Sequence, residues 1–538
     1  MEGRQLVNIG DTITMGGTTL TLWNTDVEPR KRRRIFTGFS REAASPLKLM
    51  LTASFTLLLA AVQGLFLQGS FHPEQLIPFA AVLVMGWGLY IFSIGILHRV
   101  SFEIETVAFL LSGLGIQLLS AFDLQGVTTQ LAAMLLGVFL FSFLLWFMGD
   151  MERVAKCRLW IGLGALGLLG LTLVFGSGAY GSKNWIYLGP LSVQPSEFVK
   201  ICFIFVGTST LDRLQTKKNI GEFLLFTGAC IGLLALMPDF GMALILFATF
   251  LIIAFMRSGS VRTIALVLAG AVLAVFVILA VKPYVLDRFL GWGHVWDHIN
   301  DEYGYQQTRT LTYMASGGLF GLGLGNSYLA SVFAADSDLV FGLLCEQQGL
   351  LLGLVVLLAF VLWVFYARSD VTRSRSTFFS IAACAAAGML LFQTALNVFG
   401  ATDVLPLTGV TLPFISSGGS SLISVWGLMA FLKASDERTY AARRASRKSA
   451  PREEPPPFVP KNRGPQQPRR PQEQPAPPTA PRGNPPAGGP EKGGQPPAAP
   501  WRPPFQKGGV AHAHHRIPLH GPLPAAGLFC GGRGLPGG

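Results

Sequence analysis

The chain has 538 residues, of which half are hydrophobic and 13% are charged, with a mean hydropathy of +0.46. A soluble domain carries nearer a quarter charged residues, so the composition excludes an ordinary soluble enzyme and indicates an integral membrane protein. The formal charge of +12 sits in loops and tails beside apolar runs, which argues against nucleic acid as a partner.

Residues 1–45 form a polar N-terminal arm in which VNIGDTITMGGTTLTLWN suggests a hairpin at the cytoplasmic surface. The basic run Arg30, Lys31, Arg32, Arg33 and Arg34 precedes the first apolar block, Leu47–Leu67, which is expected to stay as an anchor rather than be cleaved. Further spans are expected at Leu76–Leu97, Thr106–Phe122, Gln130–Met148, Trp160–Phe175, Ser196–Leu211, Phe223–Met237 and Met242–Phe255. After these come Ile264–Val281, Leu339–Tyr366, Phe378–Val398 and Leu422–Leu432. A helical span needs about 17–25 apolar residues, and these continuous runs do not alternate as barrel strands would. The expected fold is an all-α polytopic membrane protein. Residues 46–435 supply about 10–12 transmembrane helices and a large extracellular loop at 283–336. Residues 436–538 are basic and rich in Pro and Gly, and are expected to form a disordered cytoplasmic tail. His512, His514 and His515 in that tail read as a nonspecific patch. Cys157, Cys202, Cys230, Cys345, Cys384 and Cys530 lack metal-type spacing and read as small packing residues.

Orientation follows from charge. Placing both termini in the cytoplasm puts the basic turns Arg153–Arg158, Arg213–Lys218, Arg257–Arg262 and Arg368–Arg375 inside. The polar segments Gly176–Glu197, Pro238–Asp239, Val295–Ser327 and Phe399–Gly419 then all fall outside.

Ionisable groups beside a bilayer are costly and tend to mark sites. The Val295–Ser327 stretch carries Asp297, Asp301, Glu302 and Arg309 among aromatic residues that disordered segments lack. In GSKNWIYLGPLSVQPSE, an amphipathic surface segment, Ser196 reads as a helix cap and Glu197 as an acid at the positive end of the dipole. Lys200 follows one turn later, so the two form either a pair facing a cavity or a clamp between helices. Asp239 lies at a proline–glycine break between spans. Asp338 reads as the cap of the next span, and Glu346 lies inside that span, where it needs a partner. The GxGxG run Gly321, Gly323, Gly325 follows no strand and lacks the Lys-Ser/Thr ending of a nucleotide loop. Its amides, and those of the turn Pro413–Ser421, are still candidates for cradling a lipid-linked pyrophosphate.

The blocks GSKNWIYLGPLSVQPSEFVK, PDFG, GYQQTRTLTYMASGGLFGLGLGNS, DSDLVFGLLCEQQGLLLG and LPLTGVTLPFISSGGSS occur in this order between Gly181 and Ser421. Together they resemble the SEDS family, the FtsW/RodA/SpoVE proteins of bacterial cell-wall synthesis. The resemblance implies a peptidoglycan glycosyltransferase that polymerises lipid II at the outer face of the cytoplasmic membrane. Its implied partners are a class B penicillin-binding protein and the division or elongation machinery. Alternatives are a lipid II flippase or a division or elongation scaffold.

The family's essential acid lies in the loop before its GYQ block, commonly after a Trp. The counterpart here is Asp297, after Trp296, with Asp301 and Glu302 as alternatives, because His298 replaces the usual proline. Substrate contacts are expected from Lys183, Trp185, Glu197, Lys200, Asp239, Gln306, Arg309, Gly318, Ser416, Gly418 and Gly419. No firmly bound cofactor and no protein metal site are expected, although a divalent Mg or Mn ion would suit the leaving pyrophosphate. The attack needs a base for the acceptor hydroxyl, and a carboxylate held against apolar surface is tuned toward that task. The family usually has ten spans, and the count here adds a pair before Gly176.

Overall fold

The computed structural model describes residues 12–15, 18–21, 44–178, 183–189, 191–211, 217–259, 261, 265, 268–270, 291–301, 304–371, 374 and 376–438. The chain divides into units 1–453 and 454–538, and all described residues belong to the first. In the N-terminal arm the anticipated hairpin is present, with β1 (Thr12–Met15) antiparallel to β2 (Thr18–Thr21).

The helices in chain order begin with α1 (Pro46–Leu65), α2 (Leu76–Tyr90, prolonged by a π-helical turn Ile91–Ile96), α3 (Glu103–Ser120) and α4 (Leu124–Phe147). They continue with α5 (Met151–Phe175), α6 (Pro195–Leu211), α7 (Lys217–Leu236) and α8 (Phe240–Ser258). Further along the chain come α9 (Tyr305–Gly317), α10 (Val340–Gln348), α11 (Leu350–Asp370), α12 (Thr377–Ala401) and α13 (Gly419–Ser435). Eight are long and apolar enough to cross a membrane, among the described residues. The chain is therefore a multi-pass membrane protein. The expected span Ile264–Val281 lies largely outside the described residues.

Starts are set by local chemistry. Asp123 accepts from the Gln125 and Gly126 amides to open α4, and Asp150 accepts from Glu152 to open α5. Burial then sorts the helices: α3 and α12 are mostly buried, whereas α2, α4 and α5 show apolar side chains such as Val84, Phe139 and Trp160 outward. A helix apolar all round is stable in that position only against lipid or other helices. Trp426 of α13 is fully buried, donates through Nε1 to Ser112 Oγ of α3 at 3.1 Å and meets Phe141 of α4 and Phe414 edge-on.

Two expected elements differ. Leu339–Tyr366 is not one span: it breaks at Gly349 (φ 89), where an added Cβ would lie 2.2 Å from Leu319 O. Continuous apolar sequence hides that break, because hydropathy does not register backbone torsion. The amphipathic segment before α6 contains a small hairpin, β3 (Ile186–Leu188) with β4 (Leu191–Val193).

Hydrogen bonds define two ends of the bundle. At one, here the loop end, Lys183 N reaches Met237 O, Gln194 reaches Asp239, Gln130 reaches Ser416, and Trp292 reaches Val404. These bonds tie the segment before α6 to the turn before α8, and the residues leading into Asp297 to the segment after α12. At the other, the basic end, Ala44, Glu103, Tyr366 and Arg438 meet.

Candidate active site

The turn that carries Asp297 is a single 3-10 segment, Val295–His298, with Val295 fully buried as its anchor. Asp297 N donates to His294 O at 2.9 Å, and its carboxylate stands exposed. Trp296 beside it is 56% exposed, so the apolar shelter expected for this acid is not provided by that ring. Asp301 is exposed and bonded to His298 Nδ1 at 3.1 Å, which commits it to bracing the turn. Glu302 lies outside the described residues.

The polar loop is not all loop. Residues 305–317 fold as α9, with Arg309 half-buried and lying 5.2 Å over the Tyr305 ring, and Gln306 Nε2 donating to Phe333 O at 2.9 Å. Beyond α9, Gly318 (φ 56) is exposed, and its carbonyl accepts from Leu350 N at 3.0 Å.

The glycine run is a strap. Gly321 N donates to Gly317 O, Leu322 N to Glu346 O, Gly323 N to Gln347 O and Gly325 N to Gln347 Oε1. Gly321 (φ 81) passes so close that a Cβ would lie 2.2 Å from Gln347 O. These amides are used within the protein rather than turned toward a pyrophosphate. Glu346, fully buried, accepts from Ser327 Oγ, from Tyr328 N at 2.7 Å and from Leu329 N at 3.2 Å, which supplies the partner its position demanded. The cap of α10 is Leu339 rather than Asp338.

Beneath this surface lies a buried polar cluster. Lys200 Nζ is 2.6 Å from Glu197 Oε2, and both side chains are almost fully buried. Ser424 Oγ donates to Glu197 at 2.7 Å, while Lys200 donates to Gln393 Oε1 at 2.9 Å. Gln393 in turn donates to Thr411 O at 2.9 Å, and Thr411 Oγ1 meets Ser421 Oγ at 2.8 Å. Ser196 is not a cap; it is the second residue of α6 and donates to Asp239 Oδ2 at 3.4 Å. Asp239 caps α8 by accepting from Met242 N at 3.1 Å. Burial raises the Asp239 carboxyl above its ordinary range; the Met242 amide opposes this and the Glu197 charge adds to it.

The turn Pro413–Ser421 is held by hydrogen bonds to two segments. Ser416 Oγ donates to Ser337 O at 2.6 Å, Ser417 N donates to Asp336 O at 2.8 Å, and Gly418 N donates to Gln130 Oε1 at 3.2 Å. Gly418 caps α13 and Gly419 opens it, both half-buried. Burial pushes the neighbouring Asp338 carboxyl up to about 6, with the Asp336 charge adding and the Ser337 hydrogen bond opposing.

The sequence-nominated residues thus divide. Asp297, Asp301, Gln306, Arg309, Gly318, Lys183 and Trp185 lie on the loop end, Lys183 exposed and Trp185 half-buried in a bridge to Ser177. Glu197, Lys200, Asp239 and Ser416 are buried and paired. Buried Gln393 and Ser424 and half-buried Thr411 complete the cluster and were not anticipated; for Gln393 and Ser424, an isolated polar residue inside an apolar run was the signal that could have found them. Among the described residues no three His, Cys, Asp or Glu side chains converge as metal ligands, so the acids present do not form a ready cage for a divalent cation.

A multi-helix membrane protein with exposed acid and base groups gathered at one end of its bundle is the class that fold and site define. The family model for the FtsW/RodA/SpoVE cell cycle proteins matches residues 98–440, and the chain belongs to that family. A probable peptidoglycan glycosyltransferase FtsW from Tolumonas auensis is 36% identical over 294 residues, covering 52% of this chain and 75% of that one. One of the same description from Buchnera aphidicola is 32% identical over 268 residues, covering 48% of this chain and 66% of its own length. A solved chain from work on the structural coordination of polymerization and crosslinking by a peptidoglycan synthase complex superposes with a TM-score of 0.53 and 27% identity. That match covers 62% of this chain and 97% of the other.

Proposed function

We propose that this chain is a peptidoglycan glycosyltransferase that polymerises lipid II into glycan strands, with Asp297 as general base. Family membership and the relatives described as probable peptidoglycan glycosyltransferases support the activity. The observation that carries the site is the exposed Asp297 carboxylate on a turn anchored by buried Val295.

The carboxylate takes the proton from the acceptor sugar hydroxyl as that oxygen attacks the donor sugar. The bond to undecaprenyl pyrophosphate breaks, and the leaving group carries away the negative charge. Among the described residues, Lys183 and Arg309 are cations at the loop end that can meet it. Lys200 is not: it is fully buried and committed to Glu197 and Gln393. A divalent ion recruited with the substrate would add charge neutralisation. The loop end faces outward from the cytoplasmic membrane and both termini face the cytoplasm, in keeping with the basic turns at the other end. A class B penicillin-binding protein is the cross-linking partner, consistent with the synthase complex to which the fold is similar.

The full chain in vesicles with lipid II and its transpeptidase partner tests this reading. Glycan strands on the side bearing the Asp297 turn are expected. Transfer of lipid II across the bilayer without polymer would instead support the flippase alternative.

A further inference from the structure

The end of α12 carries a residue that its backbone does not favour. Thr402 is the C-cap, and Val404 N donates back to Phe399 O at 2.9 Å, the long bond of a Schellman termination. The residue at the left-handed position of that motif is Asp403, with φ 59. Glycine is the usual occupant, because an L side chain there crowds its own backbone. A carboxylate also sits poorly at the negative end of a helix dipole. Both effects work against aspartate as a simple terminator.

What aspartate gains is a long-range contact. Its Oδ1 accepts from Gly293 N at 3.1 Å, and next to it Trp292 Nε1 donates to Val404 O at 3.2 Å. These bonds join residues more than a hundred positions apart and fasten the root of the Asp297 turn to the end of α12. From there His294 N donates to Gly291 O and Asp297 N to His294 O, so the turn hangs directly from the fastening. The helix behind it is itself fixed: Gln393 holds Lys200 and Thr411, and Asn397 Nδ2 donates to Asp338 O and Val410 O. Strain kept where glycine would serve marks a position where something else is gained.

We propose that Asp403 is a positioning residue that holds the Asp297 turn in register for glycan transfer, an inference that rests on the reading of Asp297 as base. Two variants separate its functions. Asp403→Gly suits the left-handed backbone and relieves the dipole but deletes the acceptor. Asp403→Asn tolerates the same backbone and keeps an acceptor oxygen.

The experiment measures lipid II polymerisation by the full chain with its transpeptidase partner, alongside thermal unfolding, for wild type, D403G, D403N and D297N. D403G is expected to unfold no earlier than wild type yet to lose at least about tenfold in kcat with KM little changed. D403N is expected within about twofold of wild type. Wild-type kcat in D403G, equal losses in D403G and D403N, a defect confined to KM, or a loss that tracks lowered stability would each overturn the proposal. D297N reports on the base separately: if it polymerises normally, the base assignment fails, whereas an inactive D297N beside a fully active D403G sinks only the positioning role.

Discussion

The two ends of the bundle use the same charged residue types to opposite purposes. At the basic end, Lys433 Nζ is buried and bonded to Ser101 O at 2.7 Å and Glu105 Oε1 at 2.9 Å. Arg438 forks onto Glu103 at 2.8 and 2.7 Å and also reaches Asp436 and Tyr366. Burial pushes the Asp436 carboxyl upward, but the Arg438 hydrogen bond and the charges of Lys433 and Arg438 outweigh it and hold it well below the carboxylate range. Here charge ties α3, α11 and α13 together. At the loop end, Asp297 and Lys183 are exposed, and the chain fixes the backbone beneath Asp297 rather than its carboxylate. A neutralised charge holds helices; an exposed one on a rigid turn is free to meet a substrate. The Glu197–Lys200 pair shows that location alone does not decide, since it lies near the loop end yet is built like the clasp.

That contrast can be broken by substitution. Lys433→Met leaves Glu105 buried without its cation and should cost about 3–5 kcal/mol, seen as a large fall in unfolding temperature. Adding Glu105→Met should recover most of the loss. Lys200→Met should destabilise by about 3 kcal/mol through the same logic applied to Glu197. If Lys200→Met melted like wild type while losing polymerisation, the pair would belong with the exposed site and the contrast would fail there. Glu346→Gln should cost about 1–3 kcal/mol and speed amide exchange at Tyr328 and Leu329, whose amides it holds.

Asp338 sharpens the comparison through pH. Its carboxyl is raised to about 6, so the folded state holds a proton that the unfolded chain has released. The stability linked to that proton is fully present below about pH 4, the unfolded carboxylate range, and is lost as pH rises through about 6. Stability read from thermal melts between pH 4 and 7 should decline by about 2 kcal/mol in wild type, and Asp338→Asn should flatten that decline. An unchanged slope in that variant would assign the pH dependence elsewhere.

Much of the architecture was legible because lipid imposes a coarse rule: continuous apolar runs become helices, and basic turns collect at one end. What the rule does not read is backbone torsion. Leu339–Tyr366 looks unbroken until Gly349 turns at φ 89. The amides of Gly321, Gly323 and Gly325 read as candidates for a pyrophosphate, but in the fold Gly321 lies against α10 and the Gly323 and Gly325 amides donate to Gln347. Asp297 was nominated by its neighbours in sequence, whereas its exposure depends on how the turn is hung. Asp403 gave no signal, since an aspartate after a helix reads as ordinary loop until its φ and its partner 110 residues away are known.

The most direct test of the central claim is the rate of glycan synthesis from lipid II by purified Asp297→Asn chain with the proposed transpeptidase partner. The substitution neutralises the proposed base on an exposed turn, so the melting temperature should match wild type while the rate falls by roughly a thousandfold. Long glycan strands made at the wild-type rate by that variant would contradict the account.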